Sequence, residues 1–172
     1  SSDLLEEIEN EFVLSYENNQ QNRRIAQTIQ QYWEDLFGIK VTLKGAVDLI
    51  HLGNLEQRKY FIAIDYWLAH YIDPTCILNR FKYRQSKKNF PGYENERYIS
   101  LLEQAEETSN SVLRNQLLEQ AEEIIASDCP LAPIFHFNVI TLQSEEFEEI
   151  KVNPIGTPIF KNIRPIESAH VY

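Results

Sequence analysis

The chain contains no methionine, not even at position 1. Its first residue is Ser1, so a processed chain, or one cut from something longer, is expected. Cysteine is scarce: there are 2, Cys76 and Cys129, with no CxxC or CxxxC spacing. That excludes a zinc knuckle and argues against a dithiol redox motif, while one disulfide is permitted but not demanded. Positive charge is short as well, 16 Lys and Arg against 26 Asp and Glu, for a formal net charge of -10. Phosphate binding needs clustered cations, so no nucleic-acid partner is expected. The nearest thing to a basic cluster, Lys82, Arg84, Lys87 and Lys88, reads as a solvated loop. No apolar run approaches the length needed to cross a membrane. No signal peptide is visible, though a shortened chain could not show one.

What is present is globular. The 172 residues are 43% hydrophobic and 24% charged, which suits one domain with a real core. Asp3 to Asn10 reads as a short acidic helix, and Phe12 to Tyr16 as a strand. Arg23 to Phe37 is the clearest helix, with Ile25, Ile29, Tyr32, Trp33 and Leu36 at helical spacing and Gly38 as its stop. Ile39 to Leu43 alternates strictly, as a strand with one wet face near a sheet edge would, and Gly45 is expected to break it. Ala46 to Lys59 reads as a helix with Val47, Leu49, Ile50 and Leu55 apolar. Strands alternating with helices imply a mainly parallel sheet with covered faces, a mixed α/β class.

The stretch Tyr60 to Arg80 organises the rest. It starts as an apolar strand, Tyr60 to Ile64, and breaks at Trp67, His70 and Tyr71. It restarts as a helix over Pro74 to Phe81, with Asp73 suited to the N-cap and Pro74 to the first helical position. Ligands of open α/β sheets sit beyond the carboxyl ends of the strands, so an aromatic-rich segment there is the first place to look for a site. Lys82 to Glu94 is a loop turning at Pro91-Gly92. Asn95 to Glu107 and Ser111 to Ser127 form a helix hairpin able to cover the sheet. The first buries Tyr98, Leu101, Leu102 and Ala105; the second buries Leu113, Leu117, Leu118, Ala121, Ile124 and Ile125. Ile134 to Leu142 reads as a strong strand and Ser144 to Ile150 as an acidic loop. The tail from Phe160 to Tyr172 has little pattern, and order there is expected only against a partner surface.

The order of LSYEN, WEDLFGIKVTL, YFIAIDYWLAHYIDPTCILN, NFPGYENERYISLLEQAEE, CPLAPIFHFN and VNPIG resembles the extracytoplasmic solute-binding proteins of peptide-type ABC importers. This is the oligopeptide, dipeptide and nickel-binding group. The resemblance covers most of the chain and falls on the C-terminal lobe. It implies a mainly parallel sheet flanked by helices, a lobe of the type II periplasmic-binding-protein kind, over residues 1–155. Residues 156–172 would be a return segment toward the other lobe. It implies capture of an oligopeptide or peptide-derived ligand in an interlobe cleft and delivery to a membrane permease. It implies no chemistry and no cofactor, and a monomer in the periplasm or lipid-anchored at the cell surface.

The family's third segment runs Trp, two residues, Asp, Tyr, one residue, Asp or Glu, Pro, and falls here on Trp67, His70, Tyr71, Asp73 and Pro74. The resemblance therefore puts ligand contacts on Trp67, His70 and Tyr71, with Tyr66 and Asp65 beside them, and the helix start on Asp73 and Pro74. An indole face against an extended peptide offers apolar area and one donor; an indole packed in the core is the plainer reading of Trp67. Two positions depart from the pattern. His70 stands where many relatives hold the ligand's α-amino group with a carboxylate, and a neutral imidazole supplies no full negative charge. Ile64 stands where others hold a short ligand's carboxylate with arginine. A modified or N-terminally blocked peptide, such as a cell-wall fragment, is expected, unless Asp65 or Asp73 supplies the charge.

Other readings carry less. His70, Asp73 and Cys76 hold the residue types of a thiol nucleophile and its base, but close sequence neighbours rarely form such a set. His70 and His136 could ligate a metal, and the Glu145 to Glu149 run lacks the spacing of a calcium loop. A stand-alone interaction domain docking through the hairpin 95–127 is the alternative of a different class.

Overall fold

The structure, a computed structural model, describes residues 12–138, 140, 142–153 and 156–166. The acidic helix expected over Asp3 to Asn10, and the chain beyond Ile166, lie outside them. The chain falls into two compact units, one of Ser1–Trp67 with Arg80–Ile99, the other of Leu68–Asn79 with Ser100–Tyr172.

The first unit carries the sheet. Strand β1 is Phe12–Glu17, helix α1 Gln20–Phe37, strand β2 Val41–Ala46, helix α2 Asp48–Glu56 and strand β3 Ile62–Ala63. The strands lie in the order β2-β1-β3, all parallel. Parallel neighbours need a long crossover, and α1 and α2 provide both. Central β1 pairs with β2 from Phe12↔Val41 to Glu17↔Ala46, and with β3 at Leu14↔Ile62 and Ser15↔Ala63. Its core comprises Leu14, Tyr16, Ala26, Val41 and Ile64, flanked by Ile25, Ile29 and Trp33 from α1.

Local chemistry sets the ends of α1. The Asn19 side chain accepts the Asn22 N–H at 2.8 Å, the N-cap bond that a short polar side chain is built to make. Gly38 closes the helix at φ 65°, where any Cβ would be strained. Two α1 side chains then fasten β2. Gln30 Nε2 donates to the Val41 carbonyl at 2.6 Å, and the Val41 N–H donates to Glu34 Oε1 at 3.1 Å.

Three expectations for this unit need correcting. β2 begins at Val41, not Ile39, and runs through Gly45 instead of breaking there. The Tyr16 ring lies over Gly45, and a Cβ added there would come within 3.0 Å of it, so the glycine makes room for an aromatic neighbour. On α1, Tyr32 and Leu36 are exposed although they share the apolar spacing. An 18-residue helix is about 27 Å long and outruns a six-residue strand of about 20 Å. On α2 the buried face is His51 and Leu55, while Val47, Leu49 and Ile50 are exposed. His51 is held by its Nε2–H, which donates to the Ile64 carbonyl at 3.0 Å.

The second unit holds a short helix α3, Thr75–Leu78, and a 3₁₀ turn at Asn79–Phe81 straddles its boundary with the first. Helix α4 is Glu96–Glu107, and the boundary between the units falls within it. It buries Tyr98, Leu101, Leu102 and Ala105, as the spacing predicts. Helix α5, Ser111–Asp128, is capped by Asn110, whose side chain accepts from Val112 and Leu113 N–H. Leu117, Leu118, Ala121 and Ile125 are buried, whereas Leu113 in the first turn is exposed. Cys129 ends α5 in the left-handed conformation at φ 49°. Both cysteines are free thiols, Cys76 buried and Cys129 exposed.

The strand expected over Ile134 to Leu142 is absent among the described residues, which are irregular and exposed. A strand exists only by ladder pairing, and the described residues of this run take part in no assigned strand. The later chain is more ordered than its pattern suggests. Isolated antiparallel bridges join Phe147 to Pro165 and Val152 to Pro158. Gln143 staples the acidic loop, its Nε2 donating to the Phe147 and Glu148 carbonyls and its Oε1 accepting from Ile150 N–H. The start of the tail, far from lacking structure, pairs back on that loop. Glu148 N–H donates to the Arg164 carbonyl at 2.9 Å, and Ile166 N–H to the Glu146 carbonyl at 2.7 Å.

Candidate functional site

Because all three strands point the same way, the residues after β3 leave the sheet at its carboxyl end. Ile64 N–H still donates to the Ser15 carbonyl at 2.8 Å, and then pairing stops. Asp65, Tyr66 and Trp67 follow at once as irregular backbone. Tyr66 is exposed and Trp67 half-buried.

The residue that organises this end is Arg80, which spacing arguments do not single out. Its guanidinium carbon lies 4.4 Å from the Trp67 ring centroid and 4.6 Å from that of Phe90. Its Nη2 pairs with Asp65 Oδ2 at 3.0 Å, and its Nε donates to the Lys88 carbonyl. The Arg80 side chain keeps only 7% of its surface exposed. Arginine suits this place because its planar group stacks on rings while its edges donate in fixed directions. Lys88 adds a second cation, its ammonium 5.1 Å from the Trp67 centroid. Tyr60, ahead of β3, has its phenol pKa pushed up chiefly by burial, with the Arg58, Asp65 and Arg80 charges acting in both directions.

The loop that delivers Lys88 and Phe90 is built around Asn89, which is 1% exposed. Its Nδ2 donates to the Tyr83 carbonyl at 3.0 Å and the Tyr93 carbonyl at 2.7 Å, and its Oδ1 accepts the Tyr93 N–H at 3.1 Å. Arg58 lies over Gly92, whose φ is 65°, and donates to the Arg84 and Asn89 carbonyls. The basic cluster is thus not uniformly solvated, since Lys82 is buried and Arg84 pairs with Glu94 at 3.8 Å.

The second unit holds the other residues singled out from sequence. His70 and Tyr71 are exposed, and the His70 N–H donates to Cys76 Sγ at 3.2 Å. Asp73 Oδ1 accepts from Thr75 N–H at 2.9 Å, from Thr75 Oγ1 at 2.6 Å and from Arg114 Nη2 at 2.9 Å. Pro74 stands at the cap position of α3 itself, and Asp73 reaches past it to the first turn. The Arg114 hydrogen bond, then those from Thr75, lower the Asp73 carboxyl from its ordinary 3.8 to about 2. His136 is exposed.

The candidate residues therefore divide. Asp65, Tyr66 and Trp67 belong to the first unit, and His70, Tyr71, Asp73 and Pro74 to the second. Both carboxylates proposed as substitutes for a missing ligand contact are already paired with an arginine, Asp65 with Arg80 and Asp73 with Arg114. Sequence reading missed Arg80, Arg114, Phe90 and the buried His51. The available signal was a lone apolar Phe90 in a polar loop, which needs something to cover it.

No family model matches the chain. The oligopeptide-binding protein OppA of Bacillus subtilis (strain 168) is 28% identical over 149 residues, 87% of this chain and 27% of that protein. The dipeptide-binding protein DppE of the same organism is 29% identical over 144 residues, 84% of this chain and 26% of the relative. Among solved structures, the pheromone receptor PrgZ, described with its mode of peptide binding, superposes with a TM-score of 0.77 at 25% identity. That match covers 91% of this chain and 30% of the receptor. The chain is homologous to the peptide-type solute-binding proteins. Its fold is the type II periplasmic-binding-protein fold, and it spans about a quarter of the length of the curated relatives it matches. Those relatives are binding proteins by name.

Proposed function

We propose that the chain is the C-terminal lobe of a solute-binding protein that captures an oligopeptide or peptide-derived ligand outside the cytoplasmic membrane. It would hand that ligand to an ABC permease. Residues 1–155 would form the lobe and 156–172 the return toward the other lobe, with the ligand closed in a cleft between the two. The observation that carries this reading is the sequence likeness to an oligopeptide-binding protein along 87% of the chain.

In this reading Trp67 and Tyr66, with His70 and Tyr71, are the ligand contacts. Backbone hydrogen bonds supply the affinity, as in strand addition, and no reacting group is needed. Asp65 and Asp73 are spoken for by Arg80 and Arg114, and His70 carries no fixed negative charge. The ligand's amino end is accordingly a modified or blocked one, as in a cell-wall peptide.

The test is calorimetric titration of the complete gene product with Ala-Ala-Ala and with its N-acetylated form. The reading expects binding of the acetylated peptide at least as tight as the free one. Tight binding of the free peptide that is lost on acetylation would sink the blocked-end assignment, and no peptide binding at all would sink the function.

A further inference from the structure

We infer that Arg80 is the positioning residue of Trp67: clamped between Trp67 and Phe90 and anchored by Asp65, it sets how the indole is presented to a ligand. The inference rests on the reading that Trp67 touches the ligand, and it deepens that reading.

Three observations of different kinds converge. The guanidinium lies within 4.4 Å of the Trp67 centroid and 4.6 Å of the Phe90 centroid, so it is in contact with both rings. Its side chain is 7% exposed, so this is not a surface cation whose ring contacts are incidental. Its remaining edges are fixed, Nη2 by Asp65 and Nε by the Lys88 carbonyl, so the planar group cannot turn away from the indole. An arginine needed only to balance Asp65 could do so from solvent, where such pairs contribute little.

The arrangement has a second effect. It occupies the carboxylate two residues before Trp67, and Lys88 adds positive charge 5.1 Å from the same ring. The ground beside Trp67 is thereby cationic, and an ammonium lying on the indole would be repelled. Arg80 thus governs the orientation of the aromatic platform and the charge of the group the platform tolerates. The ligand class that fits is a peptide whose group beside Trp67 is neutral or anionic.

The chain has 2 tryptophans, so Trp33→Phe leaves Trp67 as the single indole reporter. In that background Arg80→Met, which keeps the stem and removes the cation, is expected to shift Trp67 emission and raise its quenching by acrylamide, while Arg80→Lys stays nearer the parent. In the complete gene product Arg80→Met is expected to weaken N-acetyl-Ala-Ala-Ala by about tenfold, the size of a desolvated cation–π contact. It should also narrow the preference for the acetylated over the free peptide, because Asp65 is released. Unchanged Trp67 emission and quenching in a folded Arg80→Met chain overturns the inference. Should that variant lose its far-UV circular dichroism, Asp65→Asn decides, because it keeps the cation and removes only its anchor. A shift of Trp67 emission in Asp65→Asn supports positioning, and no shift overturns it. Absence of peptide binding in the unmodified protein would count against the proposed function, leaving the fluorescence to judge Arg80 separately.

Discussion

Two apolar runs look alike as sequence and end differently. Phe12 to Tyr16 becomes the centre of a sheet, paired on both sides, with Leu14 1% exposed. Ile134 to Leu142 is equally rich in β-branched and aromatic residues. Yet its described residues join no strand, and Ile140 and Leu142 are 85% and 93% exposed. Composition expresses a demand for a partner; it does not supply one. β1 meets that demand because two crossover helices bring β2 and β3 alongside it within 50 residues of chain or so, a local route of the kind parallel sheets need. Among the described residues no crossover helix of that kind follows the later run.

The contrast can be broken by mutation. The largest effect belongs to Leu14→Ala, which empties a fully buried site between the sheet and α1 and is expected to cost about 2–5 kcal/mol in urea unfolding. Gly45→Val comes next. Its new side chain would press on the Tyr16 ring, and a loss of about 1–3 kcal/mol is expected, smaller if the ring swings aside. Tyr16→Ala in the same chain should then make Gly45→Val nearly silent, a coupling that a double-mutant cycle would detect.

A smaller effect attaches to Arg114→Ala, which removes a partly exposed ion pair of the kind that solvent screens strongly. Its signature is pH dependence. The Asp73 carboxyl is lowered from 3.8 to about 2 in the folded chain, so its stabilising contribution is complete above the higher value. That contribution is lost as pH falls through the lower one. The parent should weaken across that window more steeply than the Arg114→Ala variant; equal slopes would mean the pair contributes nothing in solution. The smallest effect is Leu142→Ala, expected within about 0.5 kcal/mol of the parent because the side chain is already in water. A loss as large as that of Leu14→Ala would erase the distinction between the two runs.

The same logic explains what could be read from the residues in advance. The alternation of strands and helices, the parallel sheet, the cap at Gly38, and the buried face of α4 are local patterns, and they were legible. Gly45 was misjudged because its reason lies in Tyr16, a strand away. On α2 the expected Leu55 is buried, but His51 takes the place of Leu49 and Ile50 beside it because a histidine that finds a carbonyl costs little to bury. In the candidate site the aromatic residues that follow β3 were visible. Arg80 was not, since nothing in a sequence tells which ring a cation 13 residues further on will reach.

Asn89 has one more consequence. By bonding three groups of its own loop it turns residues 83–93 into a compact, self-supporting structure that presents Phe90 and Lys88 at Trp67. A surface that is already ordered loses little freedom when something docks on it. The usual entropic penalty of immobilising a loop is met once, during folding, and not again at each encounter. Backbone amides of this loop should accordingly exchange with deuterium slowly before any peptide is added, and nearly as slowly afterwards.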